Sequence, residues 1–164
     1  MERVEHEFDP VFDENSKVLI LGSFPSVKSR EISFYYGHKR NRFWKIISEL
    51  TGEKTPENTD DKKEMLLRNK IAVWDVIKSC RIEGSSDSSI KDVEANDINH
   101  ILKHSNIKKV YTNGGKAHKL YKKYCQKDTG IEDINLPSTS PANASYSLEK
   151  LMDKWIIIKE DINI

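Results

Sequence analysis

The 164-residue chain has only two cysteines, Cys80 and Cys125, far apart and without a CxxC pair or a neighbouring histidine pair. Neither a zinc knuckle nor a four-thiolate cluster can be assembled from them, so two buried free thiols are expected and no metal. Long apolar runs are also missing, and nothing approaches the roughly 18 to 20 residues of a membrane span. The opening MERVEHEFDP is acidic rather than basic-then-apolar, unlike a signal peptide. These absences predict a cytoplasmic protein without a membrane partner. An excess of one charge is lacking too: 27 Lys and Arg oppose 26 Asp and Glu. No global field for phosphate follows from that balance. Repeats, low-complexity tracts and Pro/Gly/Ser linkers are absent, and the one soft stretch, Glu83 to Ser89, is too short to separate domains. One domain over residues 1–164, with one active site, is the expectation, and a monomer.

The local pattern says more than the totals. Hydrophobic residues are 37% of the chain and charged residues 32%, which suits a folded domain and not disorder. Val18 to Leu21, Ile71 to Val76, Ile107 to Tyr111 and Ile131 to Leu136 are short apolar runs bounded by turn residues, and read as four buried strands. Stretches of helical period lie between them: Phe43 to Leu50, Asp60 to Asn69, Val93 to His104 and Lys116 to Tyr124. Tyr146 to Lys159 follows the last strand. Such alternation predicts an α/β fold, a three-layer αβα sandwich around a four-stranded, mostly parallel sheet.

The unusual residues follow the strands: GSFPS (Gly22 to Ser26), WDV (Trp74 to Val76), TNGG (Thr112 to Gly115) and LPSTSPANA (Leu136 to Ala144). Loops beyond the carboxyl ends of parallel strands converge on one ligand crevice. Ordinary turn chemistry explains TNGG and part of the rest. It does not explain SFYYGHKRNRFW (Ser33 to Trp44), which holds five aromatic residues, a His, three basic residues and an Asn in twelve positions. Aromatic faces interleaved with cations suit a stacked base with its phosphates, worth about 1 to 3 kcal/mol per stacked base. A nucleic acid or nucleotide is the natural ligand. His38, Lys39, Arg40, Arg42 and Lys45 form a local basic cluster. Lys116, Lys119, Lys122 and Lys123 form a second one, which reads more simply as a solvated helix face.

In ordered combination, GSFPS, YYGHKRNRFW, WDVIKSCRIEGSSDS with TNGGKA, and LPSTSPANA resemble the motifs of the uracil-DNA glycosylase superfamily, and in particular its hypoxanthine-DNA (deoxyinosine) branch. The resemblance covers roughly residues 16–150. It implies a monofunctional base-excision glycosylase that hydrolyses the N-glycosidic bond of a deaminated base, hypoxanthine first and xanthine or uracil next, in double- or single-stranded DNA. Most of the superfamily places Asp or Asn two residues after the first motif's Gly, and His or Asn at the start of the last motif. Those positions are Phe24 and Leu136 here. The hypoxanthine branch is similar in both losses and relies on the Asn of its His-x-x-Asn motif, which is Asn41.

The resemblance therefore implies Asn41 as the catalytic residue, holding a water against C1′ through its amide oxygen. Asn is also a favoured helix N-cap, which is the competing account of the same residue. Ser23, Phe24, Tyr36, His38 and Asp75 are the candidate substrate contacts, Phe24 and Tyr36 by stacking and Ser23 through its hydroxyl. His38 also reads as a plain structural histidine, and Asp75 as an acceptor for loop amides. Arg40, Arg42 and Lys116, with Pro137, Ser138, Thr139, Ser140, Pro141 and Asn143 of the last loop, are the candidate DNA contacts. No lysine stands in the apolar setting of a Schiff-base nucleophile, so no lyase step is expected, and hydrolysis by water needs no cofactor. Two other functions fit the same crevice: a nucleoside or nucleotide N-glycoside hydrolase, and a catalytically silent module that binds damaged DNA.

Overall fold

Four parallel strands form the centre of the molecule, described over residues 2–162 by a computed structural model. In chain order the elements are β1 (Arg3–Glu5), β2 (Val18–Gly22), α1 (Val27–Ile32), α2 (Phe43–Thr51), α3 (Thr59–Arg68), β3 (Ile71–Asp75) and β4 (Ile77–Arg81). They continue with β5 (Lys91–Ala95), α4 (Ile98–Lys103), β6 (Lys109–Asn113), α5 (Gly115–Tyr124), α6 (Gln126–Thr129), β7 (Ile134–Leu136), α7 (Leu148–Trp155) and α8 (Ile158–Asp161). The parallel sheet runs β3-β2-β6-β7. Because β2 has β3 on one side and β6 on the other, successive crossovers leave it in opposite directions. The carboxyl ends at this switch point are where such sheets place a ligand crevice.

Every residue of β2 is buried, as a strand covered on both faces requires. Val18 and Ile20 belong to a core with α2, α3, α7 and α8, where Phe43, Ile46, Ile47, Leu66, Leu151 and Trp155 pack. Leu19 and Leu21 point the other way, to Ile98 and Ile101 of α4 and Leu120 and Tyr121 of α5. Each such aliphatic side chain contributes about 1.5 to 3 kcal/mol by leaving water. No helix among the described residues is long and apolar enough to cross a membrane.

The second face holds an element that sequence periodicity did not predict, a three-stranded antiparallel sheet ordered β1-β4-β5. Its Ile77 and Cys80 join the α4 and α5 core. The helix expected over Val93 to His104 begins only at Ile98: residues 91–95 alternate across β5 and pair with β4, sending Val93 and Ala95 toward the core. The expected final helix over Tyr146 to Lys159 is two short ones, the first capped by Ser147, whose hydroxyl accepts from Lys150 N at 3.2 Å. The third strand lies two residues later than expected, at 109–113, which carries Thr112 and Asn113 into the sheet.

Residues 137–146, which follow β7, are rigidly held. The Arg42 guanidinium donates to the carbonyls of Ser140 at 2.8 Å, Asn143 at 3.2 Å, Thr139 at 3.4 Å and Tyr146. Trp155 of α7 donates its indole N–H to Pro137 O at 2.9 Å. Arg42 was expected to contact DNA; instead its fork is turned inward, because a loop with so many unpaired carbonyls needs a multidentate donor. Asn143, another expected DNA contact, likewise donates inward, to Ser138 O at 3.0 Å.

Two predictions follow from the packing. Cys80 and Cys125 are buried and free. Burial raises both thiols, that of Cys125 to about 12, so the nucleophilic thiolate is scarce at neutral pH. Titration with a chromogenic disulfide at pH 8 should count no thiol in the native protein and two in denaturant; rapid native reaction would contradict the burial. Replacing Arg42 by Met should lower stability by about 2 kcal/mol, the scale of charge-assisted bonds lost from part-buried carbonyls, and speed amide exchange over residues 138–146. A pure DNA contact would weaken binding and leave exchange unchanged.

Candidate active site

Gly22, Asp75, Asn113 and Leu136 end the four parallel strands side by side. At the floor two side chains crowd Gly22, so that a Cβ there would stand 2.4 Å from Asp75 Oδ1 and 3.2 Å from the Tyr36 hydroxyl. Only glycine fits there. Tyr36 adopts a left-handed backbone, φ 52°, and stacks on Phe43 at 4.0 Å between centroids. That turn carries its phenol inward, where the buried hydroxyl makes no hydrogen bond among the described residues. Burial, and then the Asp75 carboxylate, push this phenol far above its ordinary range, with the Asn113 amide opposing. It is therefore a fixed neutral donor.

Asp75 is itself buried, and its Oδ2 meets His6 Nε2 at 2.8 Å. The predicted acceptor role toward loop amides is thus taken by a histidine ring. His6 went unnoticed in the acidic N-terminal segment. The signal was the alternation of Val4, His6 and Phe8, whose side chains turn inward while their neighbours stay exposed. Asp75 Oδ1 faces the Gly22 floor.

One wall is a directed hydrogen-bond chain. Thr139 N donates to Asn113 Oδ1 at 3.0 Å, which fixes that amide so that its Nδ2 donates to Thr139 Oγ1 at 3.0 Å. The Thr139 hydroxyl then donates to Asn41 Oδ1 at 2.8 Å, and Phe43 N donates to the same oxygen at 3.0 Å. Since a backbone N–H can only donate, the atom of Asn41 facing it is the oxygen. Asn41 thus stands one residue ahead of the Arg42 N-cap of α2, accepts from the first N–H of that helix, and ties it to the loop after β7. Its oxygen is fully occupied, against the expectation that it would hold water, and its Nδ2 is left without a partner among the described residues.

The remaining predicted residues fall into two groups. Ser23 is at the rim, donating to Asp87 Oδ1 at 3.0 Å rather than standing free for a base. His38 and Arg40 are exposed on the turn before α2, with His38 Nδ1 accepting from Arg40 N at 3.1 Å. Lys116 is half-buried in the first turn of α5, and Pro137, Ser138, Ser140 and Pro141 are half-buried along the last loop. All of these lie on segments that follow the carboxyl ends of the parallel strands. Thr139 and Phe24 do not behave as expected. Thr139 is 0% exposed and its hydroxyl serves Asn41, so it has nothing to offer a phosphate. Phe24 is 8% exposed in the second core, with the Arg30 guanidinium over its ring at 5.6 Å, so no face is open for stacking. Asn113 and Asp87 were not singled out, because one sat in an ordinary-looking turn and the other in the soft Glu83 to Ser89 stretch. No group of three or more His, Cys, Asp or Glu among the described residues is arranged to hold a metal ion.

The model of the uracil DNA glycosylase superfamily matches residues 10–160. The chain is 40% identical over 151 residues to the hypoxanthine DNA glycosylase of Methanosarcina barkeri, covering 90% of this chain and 93% of that protein. It is 37% identical over 146 residues to the hypoxanthine DNA glycosylase of Methanosarcina acetivorans, covering 88% and 91%. The solution NMR structure of a candidate uracil DNA glycosylase from Methanosarcina acetivorans superposes with a TM-score of 0.82 at 34% identity, over 96% of this chain and 97% of that one. With the family's model spanning the whole sheet and every loop of the crevice, this chain belongs to the uracil DNA glycosylase superfamily.

Proposed function

We propose that this protein is a monofunctional DNA glycosylase that removes a deaminated base, hypoxanthine first, by hydrolysing the N-glycosidic bond, and that it acts as a cytoplasmic monomer. The observation that carries the reading is the floor of the crevice, where the unpartnered Tyr36 hydroxyl lies beside Asp75 Oδ1 over Gly22. Deamination changes an amine beside a ring nitrogen acceptor into a carbonyl beside an N–H. A donor next to a carboxylate acceptor matches that new edge. It opposes the parent base, whose adenine N1 would face a carboxylate oxygen with no proton between them. The choice of hypoxanthine over uracil or xanthine, which share this edge, rests on the two relatives named for hypoxanthine.

The target atom is inaccessible in a duplex, so the nucleotide must leave the stack, at a cost of a few kcal/mol. Arg40, Lys116 and the loop after β7 surround the mouth, where strand phosphates would lie. As C1′ gains positive charge, the Asn41 Nδ2 group donates to one lone pair of the attacking water, while the other lone pair faces C1′. Occupation of Asn41 Oδ1 by Phe43 N and Thr139 fixes the amide in that orientation.

Oligonucleotides with a single hypoxanthine, xanthine or uracil, followed by alkaline cleavage of abasic sites, test the reading. The wild type should cut all deaminated substrates faster than an adenine control, and hypoxanthine fastest. Asn41→Ala should lose at least about a hundredfold in single-turnover rate, and Tyr36→Phe about tenfold, the worth of one hydrogen bond. Full activity of Asn41→Ala would remove that residue from the chemistry. Turnover of free deoxyinosine with none on the oligonucleotide would make this a nucleoside hydrolase. Tight lesion binding without cleavage would make it a sensor.

A further inference from the structure

Residues 82–90, between β4 and β5, form an arm over the crevice rim. The arm is pinned to α1: Ser85 Oγ accepts from Val27 N at 2.9 Å, and Arg30 donates to Gly84 O at 3.1 Å. It closes on itself through Glu83 N to Ser89 Oγ at 2.9 Å. Its short 3-10 turn, Asp87–Ser89, directs the Asp87 carboxylate to the Ser23 hydroxyl, one residue beyond the Gly22 floor. Asp87 Oδ2 has no hydrogen bond among the described residues. A carboxylate in this place is costly, for the Asp75 charge works against it and it lies where a polyanion would dock. A purely structural tie to Ser23 would be served as well by a neutral side chain.

The water invoked above needs a proton acceptor. Asn41 Oδ1 is filled by two protein donors. Asp75 is held by His6 and aimed at the floor, where the base edge lies. Building on the glycosylase reading, we infer that Asp87 is the general base of the reaction. Water oxygen bonds to C1′ as the C1′–N9 bond breaks, and that bond's electron pair departs with the base. One water proton passes to the Asp87 carboxylate and on to solvent, and the departing base anion takes a proton from solvent.

The surroundings agree with the role. Desolvation raises the Asp87 carboxyl above its ordinary range, the Ser23 hydrogen bond and Lys116 oppose the rise, and Asp75 adds to it. A carboxylate moved toward neutral pH is a better base there. The active form is deprotonated, so the rate falls as pH drops through this raised value.

The test is single-turnover excision by the full chain on whichever of the hypoxanthine, xanthine or uracil oligonucleotides the wild type cuts fastest. Binding is measured in parallel to a 2′-fluorinated, cleavage-resistant version of the same oligonucleotide. Asp87→Asn, isosteric and on an exposed turn, should lose at least about a hundredfold in rate, keep binding within threefold and the same melting midpoint, and lose the acid limb of the pH–rate profile. Asp87→Glu should recover part of the rate. An Asp87→Asn protein within threefold of wild-type rate, or one whose rate loss is matched by its binding loss, overturns the assignment and leaves the glycosylase reading intact. A wild type that excises none of the three bases overturns both.

Discussion

The Thr139 hydroxyl is fully buried between two amides, and each of its hydrogen bonds runs in one direction only. It accepts from Asn113 at the end of β6 and donates to Asn41 before α2, so three segments distant in sequence are locked at one atom. The direction is dictated at both ends by backbone N–H groups, Thr139 N on Asn113 and Phe43 N on Asn41. Removing the hydroxyl would leave two part-buried amides short of a partner, at a cost of about 1 to 3 kcal/mol for each. The main chain repeats the connection, since Arg42 N donates to Thr139 O at 3.1 Å. Arg42 then gathers the carbonyls that follow. The loop after β7 is therefore an extension of the core. Asn41 and that loop are fixed to one another, because neither can shift without the other.

Electrostatics divides the crevice in a similar way. The floor and rim carry carboxylates, Asp75 and Asp87, whereas the cations Arg40 and Lys116 stand at the mouth. With an overall charge of +1, the chain offers no long-range field to a polyanion. Attraction to phosphate comes from a few cations close to the mouth and is screened within about 10 Å at ordinary salt. Negative groups inside the crevice suit a reaction in which positive charge grows at C1′. The near balance of charge is what a small site with both demands produces.

The parallel sheet and its helices were legible because β2 and most of β3 are continuous apolar runs, β6 has a short apolar centre bounded by turn residues, and the helices carry period-3.6 stripes. The antiparallel sheet was not. Its strands are short and its two edges largely exposed: KDVEA in β5 alternates at period 2, but Asp, Glu and Lys argue weakly for a strand, and the other edge, β1, is only three residues long. The positions of Asn41, Ser23, Tyr36 and Asp75 near the strand ends were legible because strand-end loops and a dense aromatic-basic segment mark them. His6, Asn113 and Asp87 were missed for a shared reason: each matters only through a partner remote in sequence, respectively Asp75, Thr139 and Ser23. Arg42 was misread because its charge suggested phosphate, and only the fold reveals the carbonyls it faces.

The burial of Phe24 and Leu136 gives a physical sense to the loss of polar groups at those two positions. Phe24 packs into the core shared with the antiparallel sheet, and Leu136 into the core beneath α2 and α7. An ionised or amide side chain placed at either would have to be desolvated, at several kcal/mol if unpaired, and Phe24 is walled off by Arg30 and edged by the His6 ring. The polar side chains that meet at the strand ends therefore come from other positions: Asn41 ahead of α2, Asp75 bonded to His6 just after β1, and Asp87 on the arm between β4 and β5. The second sheet, which packs against the α4 and α5 face of the core, is what brings His6 and Asp87 within reach of the parallel strands.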